Sequence, residues 1–256
     1  MNTLLLIILS TVIVSLFSLI GISIFLIKKK LSDKILFSLI ALSAGTLIGG
    51  AFLHLIPEAI ETSNNNSGIL IYVIIGFCLF FIIEKTLHWH HCNCDKEHKH
   101  ETIKKKSLPY MNLIGDGLHN FIDGIIIGIA YLSDIRIGIV TTIVILAHEI
   151  PQEISDFGVL IYGKFSVNKA LLFNLLSASV AIIGGVITYF LASLIEKLTP
   201  LLLAIAAGGF IYIAASDLIP EINNQQTKAV KPAIIYFLIF IIGIIFMYLI
   251  KMFGGV

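Results

Sequence analysis

The chain has 256 residues, of which 57% are hydrophobic and 13% are charged, and its formal net charge is +1. Soluble domains carry about 25% charged residues, so this composition excludes an ordinary soluble enzyme or binding domain. The basic residues lie in short loops rather than on one face, and we expect no nucleic-acid partner. Many apolar runs approach the roughly 20 residues that a helix needs to cross a bilayer. The sequence therefore predicts an all-α integral membrane protein surrounded by lipid.

Eight membrane-spanning helices are predicted, forming a single domain over residues 1–256. Polar stretches and segments with glycine or proline separate the apolar runs. The spans are 4–27, 35–58, 69–87, 109–131, 137–161, 169–195, 200–220 and 232–253. The first run has no basic n-region and no clear cleavage site, so we interpret it as a retained helix rather than a signal peptide.

Lysine and arginine are distributed unequally between the two sides of the predicted bundle. Fourteen of the 17 follow spans 1, 3, 5 and 7, whereas Arg136, Lys197 and Lys251 lie on the other side. Because cytoplasmic loops carry an excess of these residues, both termini are predicted to lie outside the cytoplasm. We expect the plasma or inner membrane of a cell rather than an organelle.

A four-residue sequence near the end of span 2 recurs at the end of span 7. Leu-Ile-Pro-Glu occupies residues 55–58 and again residues 218–221. By the charge count the two spans run in opposite directions, which is typical of inverted repeats in secondary transporters. Such a repeat would pair spans 1–3 with spans 6–8 around central spans 4 and 5. Chance recurrence in a chain rich in Ile and Leu is the alternative.

The central spans each carry a polar helix face. On span 4 the polar residues fall at positions i, i+3, i+4 and i+7, which places them on one side of a helix. They are Asp116, His119, Asn120 and Asp123. Span 5 has a broader polar face, formed by His148, Glu149, Gln152, Glu153 and Asp156.

Ionisable groups at membrane depth are costly and usually mark a path for an ion or a proton. Imidazoles and carboxylates on facing helices suit Zn²⁺ first, and the mixed donors also admit Fe²⁺, Mn²⁺ or Cd²⁺. Pro151 frees the carbonyl oxygen of Ala147 and is predicted to bend span 5 beside His148. The alternative is that these side chains only hydrogen-bond the helices together.

The same residues resemble the paired signatures of the ZIP (Zrt/Irt-like) metal transporters. His119-Asn120-Phe-Ile-Asp123-Gly124 resembles the signature of the fourth helix, and His148-Glu149-Ile-Pro151-Gln152-Glu153 that of the fifth. The continuation Ile154-Ser155-Asp156-Phe157 is similar to the ZIP subgroup whose fifth helix reads HExPHExGDF. Both ends that read Leu-Ile-Pro-Glu fit the same family, and the resemblance covers essentially the whole chain.

The resemblance implies an eight-helix transporter, not an enzyme, that moves divalent metal toward the cytoplasm, with Zn²⁺ as substrate. It also implies a binuclear site between spans 4 and 5. The first metal would be held by His119, Asp123, His148 and Gln152, and the second by Asn120 and Glu149 with shared carboxylates. Further candidate ligands are Asp116, Glu153, Asp156 and His54. A homodimer is compatible with this plan.

Two positions depart from the subgroup pattern. Gln152 stands where histidine is common, and Ser155 stands where glycine is common. Glutamine is a neutral and weaker ligand, which affects the expected metal affinity. Span 6 also offers no carboxylate before Glu196, so a second metal site that needs an acid there would be incomplete.

A His-rich loop, residues 88–107, is predicted on the cytoplasmic side between spans 3 and 4. Its candidate ligands are His88, His90, His91, Cys92, Cys94, His98 and His100. Neutral imidazoles and reduced thiolates would capture borderline cations that leave the pore. The alternative is a solvated loop that happens to be rich in histidine.

Acidic residues are predicted at both ends of the path that a metal ion would follow across the membrane. Glu58 with His54 lies near the outer end of span 2, and Asp217 with Glu221 near the inner end of span 7. Acidic mouths raise the local concentration of cations. Carboxylates at helix ends that simply face water are the alternative.

Three other functions are less consistent with the sequence. A metalloprotease of the HExxH type needs a second histidine where Gln152 stands. A cation exporter of the cation-diffusion type shares the His119-xxx-Asp123 spacing and is the closer alternative. Such exporters, however, resemble six-helix transporters with a soluble C-terminal domain, whereas eight spans are predicted here. A metal sensor would not need eight spans.

Overall fold

The computed structural model describes residues 3–21, 32–64, 66–91, 100–223 and 230–254. Every regular element in these ranges is helical, which confirms the predicted all-α class. The α-helices are α1 (Thr3–Phe17), α2 (Asp33–Gly49), α3 (Ile56–Thr62), α4 (Leu70–His91), α5 (His100–Ser133), α6 (Ile135–Tyr162), α7 (Val167–Ala178), α8 (Val180–Tyr212), α9 (Ile219–Asn223) and α10 (Val230–Gly254). Two π-helical segments, Gly50–Leu55 and Ile213–Leu218, and 3₁₀ turns at Ser18–Gly21 and Ser67–Ile69 lie between them.

Seven stretches of the described chain are long and apolar enough to cross a bilayer. Six of them have 18 to 30 residues, but Val167–Asn223 has 57. A straight helix of that length would extend about 85 Å, nearly three times the hydrocarbon core of a bilayer. Leu191 interrupts this stretch with non-helical torsion angles (φ −125°, ψ 33°). Two crossings here would give the eight predicted, and the eighth crossing stays a prediction.

Large apolar side chains cover the outside of the bundle. Ile143, Phe190 and Phe237 are each at least 60% exposed. Polar side chains such as Asn120 and Asn174 are instead fully buried. This distribution is the reverse of a soluble protein and suits a lipid solvent, because only internal partners can satisfy polar groups there.

Helix boundaries differ from the prediction in two regions. The break expected at 196–200 is absent, since α8 continues through Pro200 and is interrupted earlier, at Leu191. Helix α5 begins at His100, nine residues before the predicted start, and contains Pro109. Proline is tolerated within membrane helices because neighbouring groups satisfy the carbonyl that it leaves free. The cytoplasmic location of 88–107 stays a prediction.

Glycines bring α5 close to α8. A Cβ atom added to Gly124 would lie 1.9 Å from the carbonyl oxygen of Ala181, and one added to Gly184 would lie 2.2 Å from that of Phe121. Small residues at such contacts let the backbones of membrane helices approach each other. This contact holds α5 from one side, while its polar face meets α6.

The two Leu-Ile-Pro-Glu copies have the same local structure. Each π-helical segment ends at the leucine of its copy, Leu55 or Leu218, and the following α-helix begins with Ile-Pro-Glu. His54 and Asp217 both occupy the fifth position of their π segments. A proline that cannot donate to the carbonyl four residues earlier favours such a local change of hydrogen bonding. The repeat therefore extends to the backbone of these segments, whereas its extension to whole three-helix units stays a prediction.

Candidate metal site between two helices

Four ionisable side chains from α5 and α6 converge on one point. His119 and Asp123 lie one turn apart on α5, and His148 and Glu149 are neighbours on α6. One nitrogen or oxygen atom from each lies within 4.8 Å of those of the other three. We call these four residues the ligand quartet.

The distances within the quartet match those of ligands around one cation. The Nε2 atom of His119 lies 3.2 Å from Nε2 of His148 and 3.2 Å from Oε1 of Glu149. The Nε2 atom of His148 lies 3.2 Å from Oδ2 of Asp123. The two remaining pairs of histidine and carboxylate atoms are 3.6 and 3.7 Å apart. Zinc bonds of about 2.0–2.1 Å in a tetrahedron place ligand atoms about 3.3 Å apart, so the quartet has the spacing for one such ion.

Burial makes a cation the natural partner of the quartet. All four side chains are buried, and Asp123 and Glu149 are 2% and 1% exposed. The Oε1 atom of Glu149 touches the His119 ring nitrogen but has no hydrogen-bond partner among the described residues. A buried carboxylate without a partner is costly. Two carboxylates and a divalent ion balance in charge, and the ion would bind the Oε1 atom of Glu149, which accepts no hydrogen bond among the described residues.

Asn120 and Gln152, which were predicted as ligands, are buried on the same two helices as the quartet. The side-chain amide of Asn120 donates to the backbone carbonyl and to Oδ1 of Asp116, at 3.1 and 2.9 Å. Its Oδ1 atom and the Nε2 atom of Gln152 have no hydrogen-bond partner among the described residues. In the quartet Glu149 stands where the family resemblance implied Gln152. A contact of either amide with a metal stays a prediction.

Three further predicted carboxylates are buried on the same two helices as the quartet. Asp116, Glu153 and Asp156 are each no more than 3% exposed. Glu153 accepts a hydrogen bond from the side-chain amide of Asn174 on α7. Asp156 accepts one from the hydroxyl of Ser43 on α2, at 3.2 Å. Span 6, which has no carboxylate before Glu196, therefore contributes Asn174 of α7 as a hydrogen-bond donor to Glu153. A metal-binding role for Asp116, Glu153 and Asp156 stays a prediction.

A cavity of about 60 Å³ lies beside the quartet, toward one end of the bundle. Its lining includes His119, Asp123 and His148 together with His54, Glu58 and Lys251. The Nε2 atom of His54 lies 2.9 Å from the backbone carbonyl oxygen of Met247. His54 thus lines the approach to the quartet and is not one of its four members.

The predicted accessory ligands of the His-rich segment lie outside the part of the chain whose side chains the structure describes. Residues 92–99, with Cys92, Cys94 and His98, lie outside the described residues. The side chains of His88, His90, His91 and His100 also lie outside them. Their predicted role stays a prediction.

Sequence reasoning missed four polar residues that the structure brings into view. The hydroxyl of Tyr212 donates to Glu84, a buried carboxylate on α4. The hydroxyl of Tyr162 donates to Glu221. Lys251 lines the cavity. An acid such as Glu84 inside an apolar span is itself a signal for a functional or structural role, whereas no sequence pattern pairs Tyr162 with Glu221.

Comparison with known families identifies the chain's relatives. The family described as "ZIP Zinc transporter" matches residues 3–109 and 89–251, two overlapping ranges that cover most of the chain. The chain belongs to the ZIP family. ZIP proteins are transporters and not enzymes. The match therefore confirms the predicted family and the prediction that the chain is not an enzyme. It also favours this family over the cation-diffusion exporters. As a ZIP protein with seven span-length stretches in its described residues, the chain is a multi-pass membrane protein.

Individual relatives resemble different shares of the chain. Zinc transporter zipt-7.1 of Caenorhabditis briggsae is 29% identical over 84% of this chain and 70% of its own length. Zinc transporter zipt-7.2 of Caenorhabditis elegans is 31% identical over 87% of this chain and 59% of its own length. Zinc transporter ZIP10 of Danio rerio is 40% identical over 49% of this chain and 15% of its own length. The chain therefore spans very different fractions of the curated relatives that it matches.

Proposed function

We propose that this ZIP-family chain carries a divalent metal ion, Zn²⁺ first, through the quartet between α5 and α6 and toward the cytoplasm. The observation that carries the proposal is the set of quartet distances, which run from 3.2 to 3.7 Å for five of the six pairs. Two carboxylates and two imidazoles at these distances suit a borderline dication. Zinc is also the metal named for the relatives.

The cavity gives the quartet access from one side of the membrane. It joins the quartet to the end of the bundle where Lys251 lies. The distribution of basic residues predicts that this end faces away from the cytoplasm. A metal ion would reach the quartet through the cavity, pass Glu58 and His54, and leave toward the other side after a change in conformation that exposes the quartet there.

The donor set also supports reversible binding. Nitrogen and oxygen ligands without thiolates hold zinc less tightly than the cysteine-rich sets of structural sites. Both carboxylates must be deprotonated to bind metal, so loading should release protons. A transport site must release its ion in each cycle, and a moderate affinity serves that need.

Uptake of radioactive zinc into proteoliposomes tests the proposal. Saturable uptake by the wild-type protein that is lost in H119A would support a zinc carrier with its path through the quartet. T199A is a matched control, because Thr199 is buried and bonds only the carbonyl of Ile195 among the described residues. Normal uptake by a folded H119A protein would overturn the site.

A gradient imposed in either direction separates an importer from an exporter, provided that the orientation of the protein in the vesicles is measured. Competition by Fe²⁺, Mn²⁺ and Cd²⁺ against labelled zinc then ranks the metals. If the folded protein carries Mn²⁺ or Fe²⁺ but no zinc, the protein is still a carrier, but its substrate is one of those metals and not zinc.

A further inference from the structure

The two ends of helix α6 differ in their access to the quartet. Thr141, Val144 and Ile145 line the cavity together with His148, so the cavity lies along the first half of the helix. Tyr162 ends the same helix fourteen residues after His148, which places it about 21 Å farther along the axis. The hydroxyl of Tyr162 donates a hydrogen bond to Glu221, in the second Leu-Ile-Pro-Glu copy. The Tyr162 end is thus joined to a repeat segment, while the other end is open along the cavity.

Aromatic packing supports the hydrogen bond at this end. The ring of Phe37, near the start of α2, lies edge-on to that of Tyr162 with centroids 5.3 Å apart. The ring of Tyr236, near the start of α10, lies 6.1 Å from that of Phe37. Tyr162 therefore contacts α2 through Phe37 and α9 through Glu221 at the end of α6.

The two Leu-Ile-Pro-Glu copies share their local structure but differ in their access to the quartet. In the first copy, Leu55 and Glu58 line the cavity that reaches the quartet. Their counterparts in the second copy are Leu218 and Glu221. Leu218 has no exposed surface, and a separate cavity beside Glu221, lined by Ile219, Ile222, Asn223 and aromatic residues of α10, includes no quartet member.

We propose that the hydrogen bond between Tyr162 and Glu221 keeps the route at this end closed while the cavity at the Lys251 end is open. Breaking it frees the end of α6 from the second copy, and Leu218 and Glu221 then line a route to the quartet as Leu55 and Glu58 do at the other end. Tyr162 and Glu221 are positioning residues in this scheme, because neither belongs to the quartet. The inference rests on the proposed carrier function, but its test needs no metal flux.

Reaction of single cysteines with a membrane-impermeant thiol reagent tests the proposal. The reporters are V144C, in the cavity, and L218C, at the closed end, each in a chain whose Cys78, Cys92 and Cys94 have been replaced by alanine. The reagent is applied to the full chain in proteoliposomes from both sides. In the wild-type background V144C should react and L218C should not, because Val144 lines the cavity and Leu218 is fully buried.

Y162F removes the donor and keeps the ring that packs on Phe37. We expect L218C to react faster and V144C to react more slowly, with a change of about tenfold in the ratio of the two rates, as for a lost hydrogen bond to a charged partner. E221Q should shift the ratio in the same direction. Y236F is the matched control, because Tyr236 belongs to the same aromatic group and makes no hydrogen bond to a carboxylate among the described residues.

A reciprocal change separates a closing contact from general loosening. An increase of both rates in Y162F would mean that the hydrogen bond only stabilises the bundle, and an unchanged ratio would mean that it does not control access. Either result overturns the inference. Zinc uptake by the wild-type protein is measured separately, so a failure of the carrier function would be recognised independently of the labelling result.

Discussion

The imidazole nitrogens of His119 and His148 face each other from two helices, with their Nε2 atoms 3.2 Å apart. Their ring centroids lie 5.3 Å apart at an interplanar angle of 62°. Two histidines that share one carboxylate pair in this way act as one unit. The consequences for metal binding can be measured residue by residue.

The two histidines should be strongly non-additive in zinc binding. H119A or H148A alone removes one of four ligands and should abolish most of the calorimetric zinc signal of the purified protein. The double variant should lose little more than either single variant, because residues in one network share their energy. Zinc binding that falls equally and independently in the two steps would indicate two separate sites instead of one quartet.

Gln152 offers a gain-of-function test. Q152H supplies the histidine that is common here in the subgroup whose fifth-helix pattern the sequence resembles. We expect the Kd for zinc to fall on the order of tenfold, a size typical of changes around a metal site. Q152N is the control, since it keeps the amide but shortens its reach. Equal affinities of wild type and Q152H would place residue 152 outside the reach of the metal.

Glu58 should assist the approach of cations. E58Q removes an ionisable carboxyl group from the cavity lining and should raise the apparent KM for zinc several-fold at low ionic strength. The effect should shrink as salt rises, because the screening length falls from about 10 Å at 0.1 M to about 3 Å at 1 M. E61Q is the matched control, as Glu61 lies on the same helix, is exposed and does not line the cavity. An equal change in both variants would contradict a local role.

The contact between α5 and α8 should depend on the absence of a side chain at Gly124. G124A places a methyl group where the carbonyl oxygen of Ala181 would be 1.9 Å away. Overpacking of this kind costs about 1–3 kcal/mol, which should appear as a lower Tm in detergent. G117A on the same helix is the control, because its added carbon would meet only the Ser177 hydroxyl, at 3.4 Å. A Tm equal to that of wild type in G124A would show that the helices separate easily.

The hydrogen bond between Tyr212 and Glu84 should stabilise the packing of α4 on α8. Y212F and E84Q should each lower the free energy of unfolding, and a double-mutant cycle should give a coupling of about 1 kcal/mol. Y72F changes a tyrosine on the same helix α4 as Glu84 and serves as control. A coupling near zero would mean that each residue acts through other neighbours.

Periodicity placed the four quartet residues on the polar faces of two helices, among nine polar positions. His119 and Asp123 at i and i+4 must share a helix face, and an ionisable face inside an apolar run indicated where two helices meet. Spacing along α6 did not distinguish Glu149 from Gln152, because both lie on a broad polar face. Which of the two reaches the common point depends on the rotation of α6 against α5, which is set by packing across the bundle.

Contacts between distant segments were beyond sequence reasoning. Tyr162 and Glu221 are 59 positions apart, and neither stands in a pattern that names the other. The interruption at Leu191 was also missed, because proline at position 200 is a stronger local signal than leucine. Within lipid, the tertiary surroundings of a proline decide whether a helix continues through it.

The charge of the quartet has an electrical consequence. With neutral imidazoles, Asp123 and Glu149 carry two negative charges that one divalent ion cancels. A loaded site would therefore move through the membrane field without work, whereas an empty site that takes up no protons after release of the metal would carry two negative charges back. Each elementary charge that crosses 100 mV exchanges about 2.3 kcal/mol with the field. A potential that is negative on the cytoplasmic side would then drive the return of the empty carrier, and voltage would change the maximal rate of transport more than its affinity for metal.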